Sequence, residues 1–316
     1  MTRIPRPRFA AAVLALGAAA CGGANAGTGA VETAPVSGAP GEQSSAGSRR
    51  GASDFQSLDA LEAKLASGTL GASKLDVAGR GWGAELGAAL GSSPALAGVA
   101  TLDVSDNALG AAGALDLFRS EHLGELRQLD IGGNDIGDDG AKALADARGL
   151  EDLHILNLSG NAIGPAGVQA IASSKRLLQV TSLDLSMNPV GTDGARALAA
   201  SPNFKQLKSL FLLGSEIGAD GAKALAQSRG FSSLRVLALS GNGIGDAGAR
   251  ALAGAAALKG LTTLDLSANG IGDDGAKTLA SSPHLRSLAS LEMFANELSP
   301  AGERLLAERF GARFKR

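Results

Sequence analysis

One asparagine recurs along this chain at a fixed spacing. Neighbouring copies lie 27 residues apart, or twice that distance where Ser215 takes the place of one copy. The copies are Asn107, Asn134, Asn161, Asn188, Asn242, Asn269 and Asn296. A period in this range indicates a solenoid, in which no single unit can bury its own apolar face. This spacing limits the possible folds more strongly than composition does.

Apolar residues follow the same period at three positions of the unit. A leucine recurs every 27 residues from Leu102 to Leu291, and a second apolar side chain stands two residues later, from Val104 to Met293. A spacing of two places both side chains on one face of a strand. The third column runs from Leu117 to Leu306 within segments of helical spacing. Each unit is therefore predicted to be a strand, a tight turn and a helix.

The pattern L-x-x-L-x-L-x-x-N-x-I-G-x-x-G-A-x-x-L-A resembles a leucine-rich repeat. Its GAKALA, GARALA and GAKTLA segments are similar to the ribonuclease-inhibitor-like subtype and to bacterial GALA repeats. The resemblance extends from about Lys74 to the C-terminus. It implies an α/β solenoid that is curved, with parallel strands on the concave face and helices on the convex face. The F-box-like segment of GALA effectors has no counterpart here, so their ubiquitin-ligase role is not implied.

The repeats divide the chain into segments. About nine units of 27 residues fill residues 74–299. Residues 54–73 are predicted to form an N-terminal capping helix, with apolar residues at helical spacing from Phe55 to Leu65. Residues 300–316 are predicted to form a closing helix. Caps are expected because the ends of a solenoid otherwise expose the core.

Residues 1–20 have the pattern of a signal peptide. Three arginines precede an apolar run, 9–20, that is too short to span a bilayer. Cys21 follows at once, and the junction resembles the lipobox of bacterial lipoproteins, which implies acylation of Cys21. Ordinary secretion, with cleavage after Ala20 or Ala26, is the alternative. Residues 21–53 are rich in Gly, Ala, Ser and Pro and are predicted to be a flexible tether.

These features favour an outer-membrane lipoprotein of a bacterial cell envelope, with a secreted or periplasmic protein as the alternative.

The recurring asparagine has a physical reason. A sharp turn after each strand leaves buried backbone groups, and an inward amide can both donate to and accept from them. Asp138, Thr192, Asp246 and Asp273 stand at or near helix starts, where N-cap residues are preferred. We expect them to cap their own helices.

No motif predicts catalysis, a metal or a cofactor. The segments 243–248 and 270–275 match the dinucleotide motif G-x-G-x-x-G. The first glycine varies freely among sister repeats, and an aspartate at the helix start would repel a pyrophosphate. The histidines fall at different positions of the repeat. The net charge of −2 argues against nucleic-acid binding through a large excess of positive charge.

One column of cations lies on the helices. It comprises Lys142, Arg196, Lys223, Arg250, Lys277 and Arg304. Acids three or four residues earlier, such as Asp138 and Asp193, predict ion pairs on the helix surface. A track for an anionic polymer is the alternative. The basic C-terminal tail is predicted to be a solvated end of the chain. Contact with anionic lipid is the alternative.

The strand residues that face the concave side are acidic or polar in most repeats. Phe211, Leu213, Val236 and Ala238 break this pattern on two neighbouring strands, with Asp184 and Asp265 on either side. Phe294 is another apolar residue of this face. An apolar cluster within a polar surface predicts a docking site for a protein or peptide.

The function predicted from these features is non-catalytic binding by a monomer. One alternative is a structural envelope spacer, in which the cluster is only sequence drift, as Ser215 in the same repeat suggests. A secreted, effector-like protein is a further alternative.

Overall fold

The computed structural model describes residues 55–68 and 70–316. The predicted signal peptide, Cys21 and the tether lie outside these residues. The described chain forms ten short strands, β1 to β10 in chain order. They are Lys74–Asp76, Thr101–Asp103, Gln128–Asp130, Ile155–Asn157, Ser182–Asp184, Ser209–Phe211, Val236–Ala238, Thr263–Asp265, Ser290–Glu292 and Phe314–Lys315.

Ten α-helices, α1 to α10, alternate with the strands in this part of the chain. They are Leu58–Ala66, Gly83–Gly91, Gly110–Phe118, Gly137–Asp146, Pro165–Ser173, Gly191–Ala200, Gly218–Ala226, Gly245–Ala253, Asp273–Ala280 and Pro300–Phe310. Short 3₁₀ helices interrupt several of the connections from a helix to the next strand. None of the described helices is long and apolar enough to cross a membrane.

All ten strands form one parallel sheet in chain order, and from β1 to β9 each strand pairs with the equivalent residues of the next. This arrangement confirms the predicted solenoid. Parallel strands lie about 4.8 Å apart whereas packed helices lie about 8–10 Å apart. The strand side of the stack must therefore be the concave side.

The core lies between the sheet and the helices and runs through every repeat. Both strand columns and the helix column are buried to 1% exposure or less, as at Leu183, Leu185 and Leu198. The predicted inward positions are thus confirmed. Small residues let the helices approach closely, since a Cβ on Gly87 would stand 2.0 Å from the carbonyl oxygen of Gly113.

The two ends of the solenoid are closed differently. Helix α1 begins after Ser57, whose side chain accepts a hydrogen bond from the Ala60 N–H (3.2 Å), and it buries Leu61 and Leu65. At the other end, the expectation of a helix through residue 316 is wrong. Helix α10 stops at Phe310, and the last residues return to the sheet as β10, where Phe314 pairs with Leu291. The exposed edge of β9 explains this, because it offers backbone groups that need partners.

Each asparagine of the 27-residue column links two neighbouring turns. The amide of Asn134 donates to the carbonyls of Val104 (2.9 Å) and Ile131 (2.9 Å). Its oxygen accepts from the backbone N–H groups of Asn107 (3.0 Å) and Leu109 (3.2 Å) in the preceding repeat. The predicted ladder is therefore present, and its side chains tie one turn to the next.

Ser215 fills its place in the ladder only in part. Its hydroxyl lies 3.3 Å from the carbonyls of Leu185 and Leu213. The Val190 N–H of the preceding repeat donates to the Asn188 carbonyl (2.8 Å), whereas the equivalent Ile163 N–H donates to the side chain of Asn188 (2.9 Å). The Asn188 N–H likewise finds no acceptor on Ser215, whereas the equivalent Asn161 N–H donates to the side chain of Asn188 (2.9 Å). The shorter serine thus costs the solenoid two contacts between neighbouring repeats.

The aspartates at helix starts cap the next repeat's helix, and the expectation that they cap their own is wrong. Asp138 Oδ1 accepts from the N–H groups of Gly164 (2.7 Å) and Gly167 (2.9 Å) at the start of α5. Asp246 does the same at the start of α9, and Thr192 donates to the Ile217 carbonyl. Because helices of neighbouring repeats start side by side, a short acidic side chain reaches the next helix more easily than its own backbone.

We expect Asp138→Ala to lower the free energy of unfolding by about 1–2 kcal/mol, the usual cost of losing an N-cap. Urea denaturation followed by circular dichroism would measure it. Asp139→Ala is the matched control, since Asp139 is exposed and pairs only with exposed Lys142. Equal effects of the two substitutions would contradict the cross-repeat cap.

A second buried ladder was missed from the sequence. Ser174, Ser201, Ser228 and Ser282 each donate to a carbonyl near the end of the preceding repeat's helix, at 2.5–2.8 Å. Ser93 and Ser120 occupy the same buried column. The same count of 27 would have found these serines, because the spacing is identical. They satisfy helix C-terminal carbonyls that would otherwise be buried without partners.

Candidate ligand-binding face

One column of side chains, taken from the last residue of each strand, lies on the concave face between the two core columns. It reads Asp76, Asp103, Asp130, Asn157, Asp184, Phe211, Ala238, Asp265 and Glu292. Its four central members are buried, while the members toward both ends are partly exposed. This gradient fits a concave surface, where each side chain is covered by its neighbours on both sides. The face is acidic at both ends and apolar in the middle.

The apolar middle is a compact group on β6 and β7. Phe211 pairs in register with Ala238, and Val236 pairs with Ser209. Phe211, Val236 and Ala238 are 3%, 5% and 7% exposed, yet they do not belong to the continuous core between sheet and helices. The expectation that these side chains are open to solvent is therefore wrong. Phe211 and Ala238 lie side by side on paired strands, and neighbouring side chains cover the group.

Leu213 is the half-buried member of this group, in the turn after β6. Its backbone N–H donates to the Ser186 hydroxyl (3.2 Å), which fixes the turn against the preceding repeat. Met187, in that preceding turn, is 62% exposed and was not predicted as a site residue. We define the concave cluster as Phe211, Leu213, Val236 and Ala238.

The predicted acidic flanks lie directly beside the cluster. Asp184 pairs in register with Phe211, and Asp265 pairs with Ala238. Burial raises the pKa of both carboxyl groups, while hydrogen bonds from Ser186 and Ser267 oppose the rise. Phe294 is 44% exposed and stands in the turn after β9, two strands beyond β7, so the structure does not bring it into the concave cluster.

Beyond Asn157, the carboxylates of Asp130, Asp103 and Asp76 continue this column toward the N-terminal end. Asp130 accepts from the Gly132 N–H (3.0 Å) and from the Asn157 amide (2.9 Å). Burial, and then the charge of Asp103, raise the pKa of Asp130 to about 6. Asp103 and Asp130 are paired in register on neighbouring strands, so their carboxylates lie close together and repel each other. The face therefore holds negative charge that a cationic ligand would relieve.

The other candidate sites have structural roles in the described residues. The carboxylate of Asp246, a residue of α8, lies at the start of α9, where a dinucleotide phosphate would have to bind. It already accepts hydrogen bonds from the Gly272 and Gly275 N–H groups. The described residues contain no group of three or more His, Cys, Asp or Glu side chains that could hold a metal.

Two members of the cation column on the helices form the predicted ion pairs. Lys142 pairs with Asp139 (2.9 Å) rather than with Asp138, and Arg196 pairs with Asp193 (2.7 Å). In the C-terminal tail, Lys315 pairs with Glu292 (3.0 Å) and Arg316 with Glu303. Much of the tail's charge is therefore engaged within the protein.

Comparisons with known proteins find a similarity to leucine-rich repeats in part of the chain. A family model described as leucine-rich repeat matches residues 126–145, 150–172, 180–199, 232–253 and 261–280. No curated protein matches the sequence. Among solved structures, an internalin from Listeria monocytogenes is similar with 16% identity and a TM-score of 0.37, over 80% of this chain and 87% of that one. TLR13, solved as a complex with ssRNA13, is similar with 22% identity and a TM-score of 0.40, over 69% of this chain and 27% of that one.

Proposed function

Because the chain carries leucine-rich repeats, we propose that it is a non-catalytic protein whose concave face binds a protein or peptide segment. We further propose that it acts as a monomeric lipoprotein of a bacterial cell envelope, anchored through Cys21. Leucine-rich repeats are in general scaffolds for binding rather than for catalysis.

The concave cluster is the observation that carries the proposal. In most repeats the equivalent positions hold polar residues, so neither the strand nor the core requires apolar residues there. Phe211, Val236 and Ala238 on β6 and β7 form a buried apolar floor at the middle of the face. Leu213, in the turn after β6, is the accessible member of the cluster. Aromatic and aliphatic residues at the centre of a polar surface are the usual anchors of a protein interface.

The acidic flanks specify the chemistry of the ligand. Asp184 lies on one side of the cluster and Asp265 on the other, with Asp130 farther along the same face. A peptide with an apolar side chain between lysine or arginine residues would cover the cluster and neutralise the flanks. Contact with Leu213 provides apolar area, since that side chain is still half-exposed in the free protein.

Selection from a displayed library of random peptides would test this function. We expect the full chain carrying Cys21→Ser to enrich peptides with an apolar residue flanked by basic residues. Leu213→Asp should weaken their binding at least tenfold, because it places a carboxylate in the apolar patch. Fluorescence anisotropy with one enriched peptide would measure the loss.

Leu115→Asp is the matched control for that experiment. Leu115 is an exposed leucine (38%) on helix α3, away from the concave face. Peptide affinity should be unchanged in this variant, and both variants should keep their melting temperature within a few degrees. A library without enrichment, or peptides that bind Leu213→Asp as well as the parent, would favour the spacer alternative.

The proposed anchor has its own test. Acylated protein partitions into the detergent phase of a Triton X-114 extract, because several acyl chains on one residue give stable membrane association. We expect wild-type protein made in a bacterial host in the detergent phase and Cys21→Ser in the aqueous phase. Wild-type protein that remains aqueous and begins at Gly27 would instead support plain secretion.

A further inference from the structure

The connections from helix to strand carry cations and no acids over five consecutive repeats. These connections are residues 174–181, 201–208, 227–235, 254–262 and 281–289. We define their cations as the basic edge: Lys175, Arg176, Lys205, Lys208, Arg229, Arg235, Lys259 and Arg286. Because the strands that follow are paired in register, the connections succeed one another along one edge of the sheet.

The fold does not require this charge distribution. The equivalent connections of two earlier repeats, 119–127 and 147–154, mix cations with Glu121, Glu125, Glu151 and Asp152. The helix dipole favours cations only within the last turn of a helix. Lys208 and Arg235 lie well beyond the helix ends at Ala200 and Ala226.

Most of the basic edge is free to meet a partner. All its members except the half-buried Arg176 are exposed, and Arg176 pairs with Glu151 of the preceding connection (2.7 Å). Within residues 55–68 and 70–316, Lys205, Lys208 and Lys259 form no ion pair. Their charges are therefore not cancelled within the described protein.

Acids collect at the opposite edge, in the first turns of the helices. Examples are Asp138, Asp193, Asp220, Asp246 and Asp273. A helix of nine or ten residues separates the two edges by about 14–15 Å, at 1.5 Å per residue. Charges are screened over about 8 Å at physiological salt. A surface that touches the basic edge would thus experience positive charge even though the whole chain is slightly acidic.

We propose that the basic edge binds the surface of an anionic phospholipid bilayer. Five successive connections form a narrow strip roughly 20–35 Å long, estimated from the strand and helix spacings. A strip of lysine and arginine on an outer edge suits a flat, negatively charged surface. Leu178, 44% exposed within the first of these connections, offers an apolar contact at the interface.

The strip lacks what a single-stranded nucleic acid requires. Such ligands are held by base stacking on exposed aromatic side chains. The aromatic residues of these connections, Phe204 and Phe231, are 1% exposed, and the chain has no tyrosine. The lipid surface is therefore the better partner for the observed side chains.

Vesicle co-sedimentation tests the proposal. The probe is the full chain carrying Cys21→Ser, so that no acyl group contributes, with vesicles of phosphatidylcholine alone or with 30% phosphatidylglycerol. We expect binding to the anionic vesicles only, and release at 0.5 M salt. The triple variant Lys205→Glu, Lys208→Glu, Arg235→Glu should bind at least tenfold more weakly.

The matched control makes the same change of net charge on the helices, with Lys223→Glu, Arg250→Glu and Lys277→Glu. It should bind nearly as well as the parent, and circular dichroism should show that both triple variants are folded. Equal loss in both variants, binding to neutral vesicles, or no binding by the parent would overturn the proposal. Salt-sensitive self-association without vesicles, lost in the first variant, would assign the edge to a second copy and overturn it equally.

Discussion

Replacing Asn161 by alanine is expected to lower the free energy of unfolding by roughly 3–5 kcal/mol. Its amide donates to the carbonyls of Ile131 and Leu158, and its oxygen accepts from the N–H of Asn134 at 3.0 Å. Alanine would leave these groups buried and without partners. Each such group costs about 1–3 kcal/mol. Equilibrium denaturation in urea, followed by circular dichroism, would measure the change.

Ser215→Asn is the reverse experiment within the same chain. The longer side chain would accept from the N–H groups of Asn188 and Val190 and restore the two contacts between repeats that the serine lacks. We expect a gain of about 1–2 kcal/mol, since the typical net value of one hydrogen bond is about 1 kcal/mol. A loss of less than 1 kcal/mol in Asn161→Ala, or a marked loss in Ser215→Asn, would show that the ladder is not the main tie between turns.

The second large effect is pH-dependent and concerns Asp130. Its folded pKa is about 6, above the ordinary value of 3.8. Between these values the native state holds more protons than the unfolded state, so stability falls as pH rises toward 6. Above that range the destabilisation is constant, at about 2–3 kcal/mol. Asp130→Asn should therefore stabilise the protein at pH 8 and have little effect at pH 4.

The amide can still accept from the Gly132 N–H, so the substitution mainly removes the charge. Urea denaturation at pH 4, 6 and 8 would measure the effect. Asp103→Asn should give a smaller gain at pH 8, because the Asp103 charge is the second cause of the raised pKa. Asp139→Asn, on an exposed helix surface, should give almost none. A gain of equal size at pH 4 and pH 8 would rule out carboxylate ionisation as the cause.

Features that repeat along the chain could be predicted from the sequence. The columns from Leu102 to Leu291 and from Leu117 to Leu306 are buried as predicted, because their spacing alone decides which side faces the helices. The role of the asparagine column followed from its inward position.

Features that depend on the distance between neighbouring repeats could not be predicted in the same way. Asp138 caps the following helix, and Phe211 is buried beside the residues of the neighbouring strands. The return of Phe314 to the sheet depends on an exposed strand edge rather than on any repeat. In each case the contact joins residues of different repeats or of different strands. Their distance in space depends on how the repeats stack, and the sequence pattern does not give that distance.

The short side chain at Ser215 has a consequence for how the array comes apart. The stability of a repeat protein is approximately the sum of the stabilities of its repeats and of the interfaces between neighbours. Partial unfolding therefore begins at the interface with the lowest stability. At the joint between the repeats of Asn188 and Ser215, the ladder lacks two of the hydrogen bonds that it has at the neighbouring joints. We expect partial opening to begin there, visible as faster hydrogen exchange at β5 and β6. Phe211 lies at this joint. A peptide bound across it would therefore contact the repeats on both sides and stabilise the interface between them.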